Sequence, residues 1–233
     1  MKNILRSANP LKILEQTSRK CLGPGAMGVV IARAGVGKTA CLINIALHQL
    51  MENRKVAHVS LGEGPEKINA YYQVLLKDLM RACDLKEDAP SLVEGNRVIF
   101  AYLNRSFELT RLKVQLENLN EATGFTPDVI LVDGLDFTAT GRELFEEFSA
   151  LAGELKSEIW FSALSHRHIS EINERGIPYP CHNLDDLFSV ILQLQPEASG
   201  LYLRLLKDHE RATISDVGVR LDPSTFMISD AGA

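Results

Sequence analysis

The sequence predicts an α/β fold built on a mostly parallel, doubly wound sheet with an antiparallel extension at its C-terminal end. Three features predict it. Short apolar runs at 27–31, 55–61, 97–103, 128–132 and 158–164 alternate with longer segments whose apolar residues fall at helical spacing. That alternation stops near residue 187, where the strand-like runs 187–194, 200–207 and 217–221 follow one another across short turns. The chain's 233 residues, 45% hydrophobic and 24% charged, suit a single domain spanning 1–233 with a core of ordinary size.

The N-terminal segment, 1–24, is expected to hold one helix and a turn. Asn9 caps the helix, Pro10 takes its first position, and it runs to about Arg19; Leu22-Gly23-Pro24-Gly25 is the turn. Met27 to Ile31 is a buried strand, and Ala40 to Met51 a helix. Lys55 to Leu61 gives a second strand, broken by Gly62-Glu63-Gly64, and Pro65 starts a long helix to about Cys83. Residues 85–96 are polar, hold Pro90 and Gly95, and are expected to form a loop. Ser106 or Thr110 is expected to cap a helix carrying Leu109, Leu112, Val114, Leu116 and Leu119. A helix over Arg142–Lys156 separates the fourth strand from the fifth. Residues 165–185 lack periodicity and contain His166, Arg167, His168 and Arg175; a stretch of this length is expected to be functional or mobile.

Chemistry concentrates at Ala32-Arg33-Ala34-Gly35-Val36-Gly37-Lys38-Thr39, between the first strand and its helix. Strand, glycine-containing turn, Gly-Lys-Thr and helix form the context of a phosphate-binding (Walker A) loop. The N–H groups of Arg33 to Ala40 converge where a polyphosphate supplies the missing acceptors. Lys38 would reach the β/γ-phosphates and the Thr39 hydroxyl would hold Mg²⁺. The usual opening glycine is replaced by Ala32, while Gly35 and Gly37 remain for the tight turn.

Val129-Ile130-Leu131-Val132-Asp133 has the form of a Walker B strand, apolar residues delivering one carboxylate beside Thr39 to hold the metal. The plainer role for Asp133 is to cap the following turn. Asp136 is expected to be a solvated or turn residue. Thr39, Glu63, Asp133 and Ser165-His166 all fall near the carboxyl ends of strands, where sheets of this type bind ligands.

From Gly25 onward, G-A-M-G-V-V-I-A-R-A-G-V-G-K-T-A-C-L-I-N-I-A resembles the ATPase core of RecA-fold P-loop proteins, nearest the DnaB-type replicative helicases. Gly64-Pro65-Glu66-Lys67-Ile68 resembles the KaiC clock ATPases. Asp133-Gly134-Leu135, Ala163-Leu164-Ser165-His166 and Leu205-Leu206-Lys207-Asp208-His209 resemble that family's Walker B, sensor strand and late Lys-x-Arg hairpin, in order over Gly23 to His209. The resemblance implies a RecA-like fold, ATP and Mg²⁺ as ligands, hydrolysis of ATP, and assembly with the site between subunits. It also implies a water-polarising glutamate after the second strand. That position is Gly62 here, and Glu63 is the substitute or simply a helix N-terminal charge. His166 stands at the sensor glutamine, where it donates a hydrogen bond to phosphate or water or is an idle surface side chain. His209 stands at the late arginine, which removes guanidinium recognition; Arg204 and Arg211 are expected to be solvated strand residues.

Net charge is −5, against sequence-independent nucleic-acid binding. Cys21, Cys41, Cys83 and Cys181 lie far apart with no metal spacing, as free thiols of a cytoplasmic protein. No run approaches membrane-spanning length. The expected function is an Mg-ATP-binding ATPase with slow hydrolysis coupled to conformational change or assembly. The loss of glutamate, glutamine and arginine at three family positions supports an alternative, a nucleotide-dependent switch or scaffold acting through a protein partner. A helicase-related DNA motor is a further alternative, weakened by the lack of an aromatic-basic platform. A phosphotransferase would want an arginine-rich lid, and a GTPase a guanine-reading Asn/Thr-Lys-x-Asp motif; neither is present.

Overall fold

The computed structural model describes Leu11 and residues 22–85, 87–166, 169, 171–209, 211–212 and 218–228. The helix expected over Asn9–Arg19 lies outside the described residues, as do Cys21, Arg167, His168 and the side chain of Arg211. In chain order the elements are β1 (Met27–Arg33), α1 (Lys38–Met51), β2 (Val56–Leu61), α2 (Pro65–Cys83), α3 (Ala89–Gly95) and β3 (Arg97–Tyr102). There follow a 3₁₀ turn (Asn104–Ser106), α4 (Leu109–Thr123), β4 (Val129–Asp133), α5 (Arg142–Leu155) and β5 (Glu158–Ser165). The chain closes with β6 (Val190–Glu197), β7 (Gly200–Asp208), β8 (Arg211–Ala212) and β9 (Gly218–Leu221).

The strands form one sheet in the order β3-β2-β4-β5-β1-β6-β7-β8, with β9 also pairing β7. β1 to β6 are mutually parallel. β7 runs antiparallel to β6, and β8 and β9 run antiparallel to β7. The expected α/β class, parallel sheet and antiparallel extension are therefore present. Side chains alternate across each strand, so each parallel strand feeds two cores. Val30, Leu131 and Trp160 pack beneath α1 and α2. Val29, Val132 and Phe161 pack beneath α4 and α5 with Leu112, Phe145 and Phe148. Every residue of α1 from Cys41 to Leu50 is buried, between sheet, α2 and the C-terminal residues. The parallel strands end together along one rim, and that rim carries the site.

The structure corrects several expectations. Residues 85–96 are not a loop throughout: Ala89–Gly95 is helical, because Pro90 falls in the first turn, where its missing N–H costs nothing, and Ala89 and Val93 bury. Neither Ser106 nor Thr110 caps α4; Glu108 takes the cap position without a side-chain bond, and the Ser106 hydroxyl donates to the Leu103 carbonyl at 3.1 Å. Val114, two residues from buried Leu112, turns outward and is 49% exposed. β6 starts at Val190 rather than 187, since 181–187 is spent on successive turns that bury Leu184 and Phe188.

Much of the long 165–185 stretch is tied down by Asn173. Its side-chain Oδ1 accepts from the N–H groups of Arg175 and Ile177, both at 3.0 Å. Its amide donates to the His182 carbonyl at 2.7 Å and to Asp185 Oδ1 at 3.0 Å. Ile177, Cys181 and Leu184 enter the second core. Cys41, Cys83 and Cys181 are buried free thiols. No helix of the described residues is long and apolar enough to cross a membrane.

Candidate functional site

β1 ends at Arg33, and α1 begins at Lys38 after the four residues 34–37. The turn needs left-handed backbone at Gly35 (φ 73°) and Gly37 (φ 104°), which explains both glycines. Gly37 is the N-cap of α1, no side chain caps the helix, and its first turn carries no acidic residue. The free N–H groups and the positive end of the helix dipole thus face the rim with no carboxylate from the helix's own first turn competing for them. Lys38 Nζ folds back toward the Arg33 carbonyl at 3.4 Å. Burial lowers the pKa of Lys38, with the charge of Asp133 opposing the shift.

Asp133 ends β4, on the α1 side of the sheet, and is buried. Thr39 Oγ1 donates to its Oδ2 at 2.6 Å, joining residues 94 apart in sequence. Ser162 Oγ, on the adjacent strand β5, donates to its Oδ1 at 2.6 Å and accepts from the Gly134 N–H at 3.1 Å. Gly134 (φ 87°) turns the chain sharply away; a Cβ there would lie 2.8 Å from the Leu61 carbonyl oxygen. Asp133 therefore aims at Thr39 rather than capping the turn after it. That turn is held by Asp136, whose carboxylate accepts from the Thr138 N–H at 2.9 Å and hydroxyl at 2.7 Å. Those bonds, Thr138's hydroxyl first, hold its pKa below the usual carboxylate value.

One cavity of about 690 Å³ is lined by Ala34, Gly35, Lys38 and Thr39 from the loop, with Glu63, Asp133 and His166. Of the strand-tip residues picked from the sequence, Glu63, Asp133 and His166 thus share the loop's cavity, and Ser165 does not line it. Arg33 is exposed and does not line the cavity, and Val36 and Ala40 pack partly into the first core. Gly37 is backed by the C-terminal turn: a Cβ on it would lie 2.0 Å from the Phe226 ring. That turn is fixed to α1 by Asn44, whose amide donates to the Thr225 carbonyl at 2.9 Å.

Glu63 is exposed, its carboxylate paired with Lys67 at 2.7 Å. His166 lies with its ring 6.2 Å from that of Tyr179. The late hairpin residues are occupied within the chain. Lys207 is buried, and its Nζ donates to the Asp185 carbonyl at 2.5 Å; burial lowers its pKa. His209 Nδ1 pairs with Asp208 at 2.7 Å, and Arg204 with Glu197.

Sequence reasoning missed two residues here. Ser162 is the lone hydroxyl between Phe161 and Ala163 in a buried strand, a signal that was available. Asn104, whose amide donates to the Gly134 carbonyl at 2.8 Å, carries no sequence signal. Among the described residues no group of three or more His, Cys, Asp or Glu could hold a metal ion. The adjacent Thr39 hydroxyl and Asp133 carboxylate still fit Mg²⁺, a hard cation that takes one or two protein oxygens and fills its shell with water and phosphate. No protein-family model matches the chain, and no curated protein matches it.

Proposed function

We propose that the chain is a RecA-fold P-loop ATPase that binds Mg-ATP and hydrolyses it slowly. One observation carries the reading: the 2.6 Å bond from Thr39 to Asp133, made at the uncapped start of α1 and inside the cavity that Lys38 shares. A strand-to-helix turn with a chance Gly-Lys-Thr has no reason to bring a buried carboxylate from β4 against its threonine. The parallel sheet with its antiparallel extension is compatible with a RecA-like core. Backbone N–H groups of 34–40 and Lys38 would cradle the phosphates, and Thr39 with Asp133 would hold Mg²⁺. A metal held by these two residues would supply charge neutralisation to the phosphates. Glu63 would orient the attacking water after exchanging Lys67 for it, a change that exposed ion pairs permit because water already competes for both charges.

The prediction is that Lys38→Ala loses ATP binding and phosphate release together, whereas Glu63→Gln keeps affinity and loses rate. Steady-state phosphate release beside equilibrium ATP binding measures both. ATP affinity unchanged in Lys38→Ala would refute the site.

The second reading, a nucleotide switch with negligible turnover, is favoured by the Glu63–Lys67 pair and by Gly62, in the cavity lining, at the position where the family resemblance implies a glutamate. It expects Glu63→Gln to match the wild type, and ATP but not ADP to protect residues 165–185 from protease. Equal protection by the two nucleotides would remove it.

A further inference from the structure

Asp133 has two oxygens and two hydroxyl donors, and the two donors are not alike. Thr39 belongs to the loop that must accommodate phosphate and metal. Ser162 belongs to β5, in the middle of the sheet, where it is 2% exposed. The β4–β5 ladder pairs Val132 with Phe161 and goes no further, so Asp133 and Ser162 meet just where backbone pairing stops. Beyond that point the Gly134 N–H has no strand to bond and takes the Ser162 oxygen, at 3.1 Å. Ser162 in turn gives its single proton to Asp133 Oδ1 at 2.6 Å. The serine's donor is thereby committed in one direction, and Oδ1 is held on the β5 side of the carboxylate. Oδ2 is left pointing at Thr39.

Resting on the reading above, we propose that Ser162 is a positioning residue that fixes which oxygen of Asp133 faces the metal, so that metal affinity, rather than nucleotide affinity, depends on its hydroxyl. Partners of this kind behind a metal ligand change metal affinity by about 10–100-fold when removed. In Ser162→Ala, Oδ1 loses its buried donor, the Gly134 N–H loses its acceptor, and the carboxylate is free to rotate away from Thr39. Ser162→Thr keeps the hydroxyl and suits a strand.

The experiment titrates Mg²⁺, and Mn²⁺ as a spectroscopic probe, into the ATP complex of wild type, Ser162→Ala and Ser162→Thr, and measures metal-free ATP affinity and thermal midpoint beside them. The expected result is metal affinity roughly tenfold or more weaker in Ser162→Ala, metal-free ATP affinity unchanged, and recovery in Ser162→Thr. A merely structural serine would lower the thermal midpoint and both affinities in step, which overturns the proposal. Metal affinity within twofold of wild type in Ser162→Ala overturns it as well. A wild type that binds ATP neither with nor without Mg²⁺ overturns the nucleotide-site reading itself, and this proposal with it; the Ser162→Ala comparison alone does not touch that reading.

Discussion

His48 and His58 show how single residues set the acid limit of this fold. His48 lies in the buried stretch of α1, Cys41 to Leu50, and burial pushes its pKa down to about 3. His58 lies on β2 with its Nδ1 3.2 Å from the Tyr72 hydroxyl. Burial pushes it down to about 4; Asp133 pulls the other way and Arg97 adds to the lowering. Both are neutral in the folded chain and protonate near 6.5 once it unfolds. The unfolded chain therefore binds more protons between these limits, and stability falls as pH falls from about 6.5 toward 4. Asp136, Asp186 and Asp222, whose pKa values are lowered from 3.8, withdraw their contributions only below that value. The two windows overlap only below about 4, where His48 is still neutral in the folded chain. Replacing both histidines by Gln is expected to flatten the pH dependence of the unfolding free energy, read from denaturant titrations between pH 6.5 and 4, by an amount on the order of a few kcal/mol. A profile with the same slope as wild type would assign that loss to other groups.

At the scale of an element, the loop between β1 and α1 depends on a turn that follows it by almost the whole chain. Phe226 is buried with φ 58°, held by the N–H it donates to the Asp222 carbonyl at 2.8 Å, and its ring fills the space a Gly37 side chain would need. Gly35 has a positive φ as well, but nothing lies within 4 Å of a Cβ there. Gly35→Ala should therefore cost only backbone strain, about 1–2 kcal/mol. Gly37→Ala adds a clash with a packed ring, and Phe226→Ala should relieve that part. A double-mutant cycle is expected to show Gly37→Ala less damaging on the Phe226→Ala background; strict additivity would mean that ring and loop are independent. This contact also marks where sequence reading stops. β1, α1, β2, α2 and β4 were legible because their patterns are local: β-branched runs, helical spacing, Pro65 at a helix start. The loop, Asp133 and the shared rim followed from them. Phe226 behind Gly37 was not legible, since no local pattern links positions so far apart. Nor was α3, where Pro90 and Gly95 mimic a loop although Ala89 and Val93 bury.

Across the whole molecule, the parallel strands bring their carboxyl ends to one rim, and the charges gathered there are unbalanced. Lys38 is the one lysine or arginine among the described residues that line the cavity, against Glu63, Asp133 and Asp136. Two cations of the late hairpin are occupied elsewhere: Lys207 by the Asp185 carbonyl and Arg204 by Glu197. Lys207 also pairs at Ile191, level with Val29 of β1, well back along the sheet from the loop that follows Arg33. Phosphoryl transfer spreads negative charge over the equatorial oxygens, and an additional arginine placed there is worth about 10³–10⁵ in rate. On the proposed function, a single chain with only Lys38 and a metal should therefore bind ATP well and turn it over slowly. If a second copy supplies the missing cation, the rate per chain rises with protein concentration while ATP affinity stays constant, and mixing in Lys38→Ala chains, which cannot hydrolyse but still offer their surface, does not lower the rate of the wild-type chains. That pattern is the expected outcome, measured as phosphate release per chain from nanomolar to micromolar protein. A rate per chain that is flat over that range would place all the chemistry in one subunit and shift the weight to the switch reading, in which slow turnover is the resting property of the site.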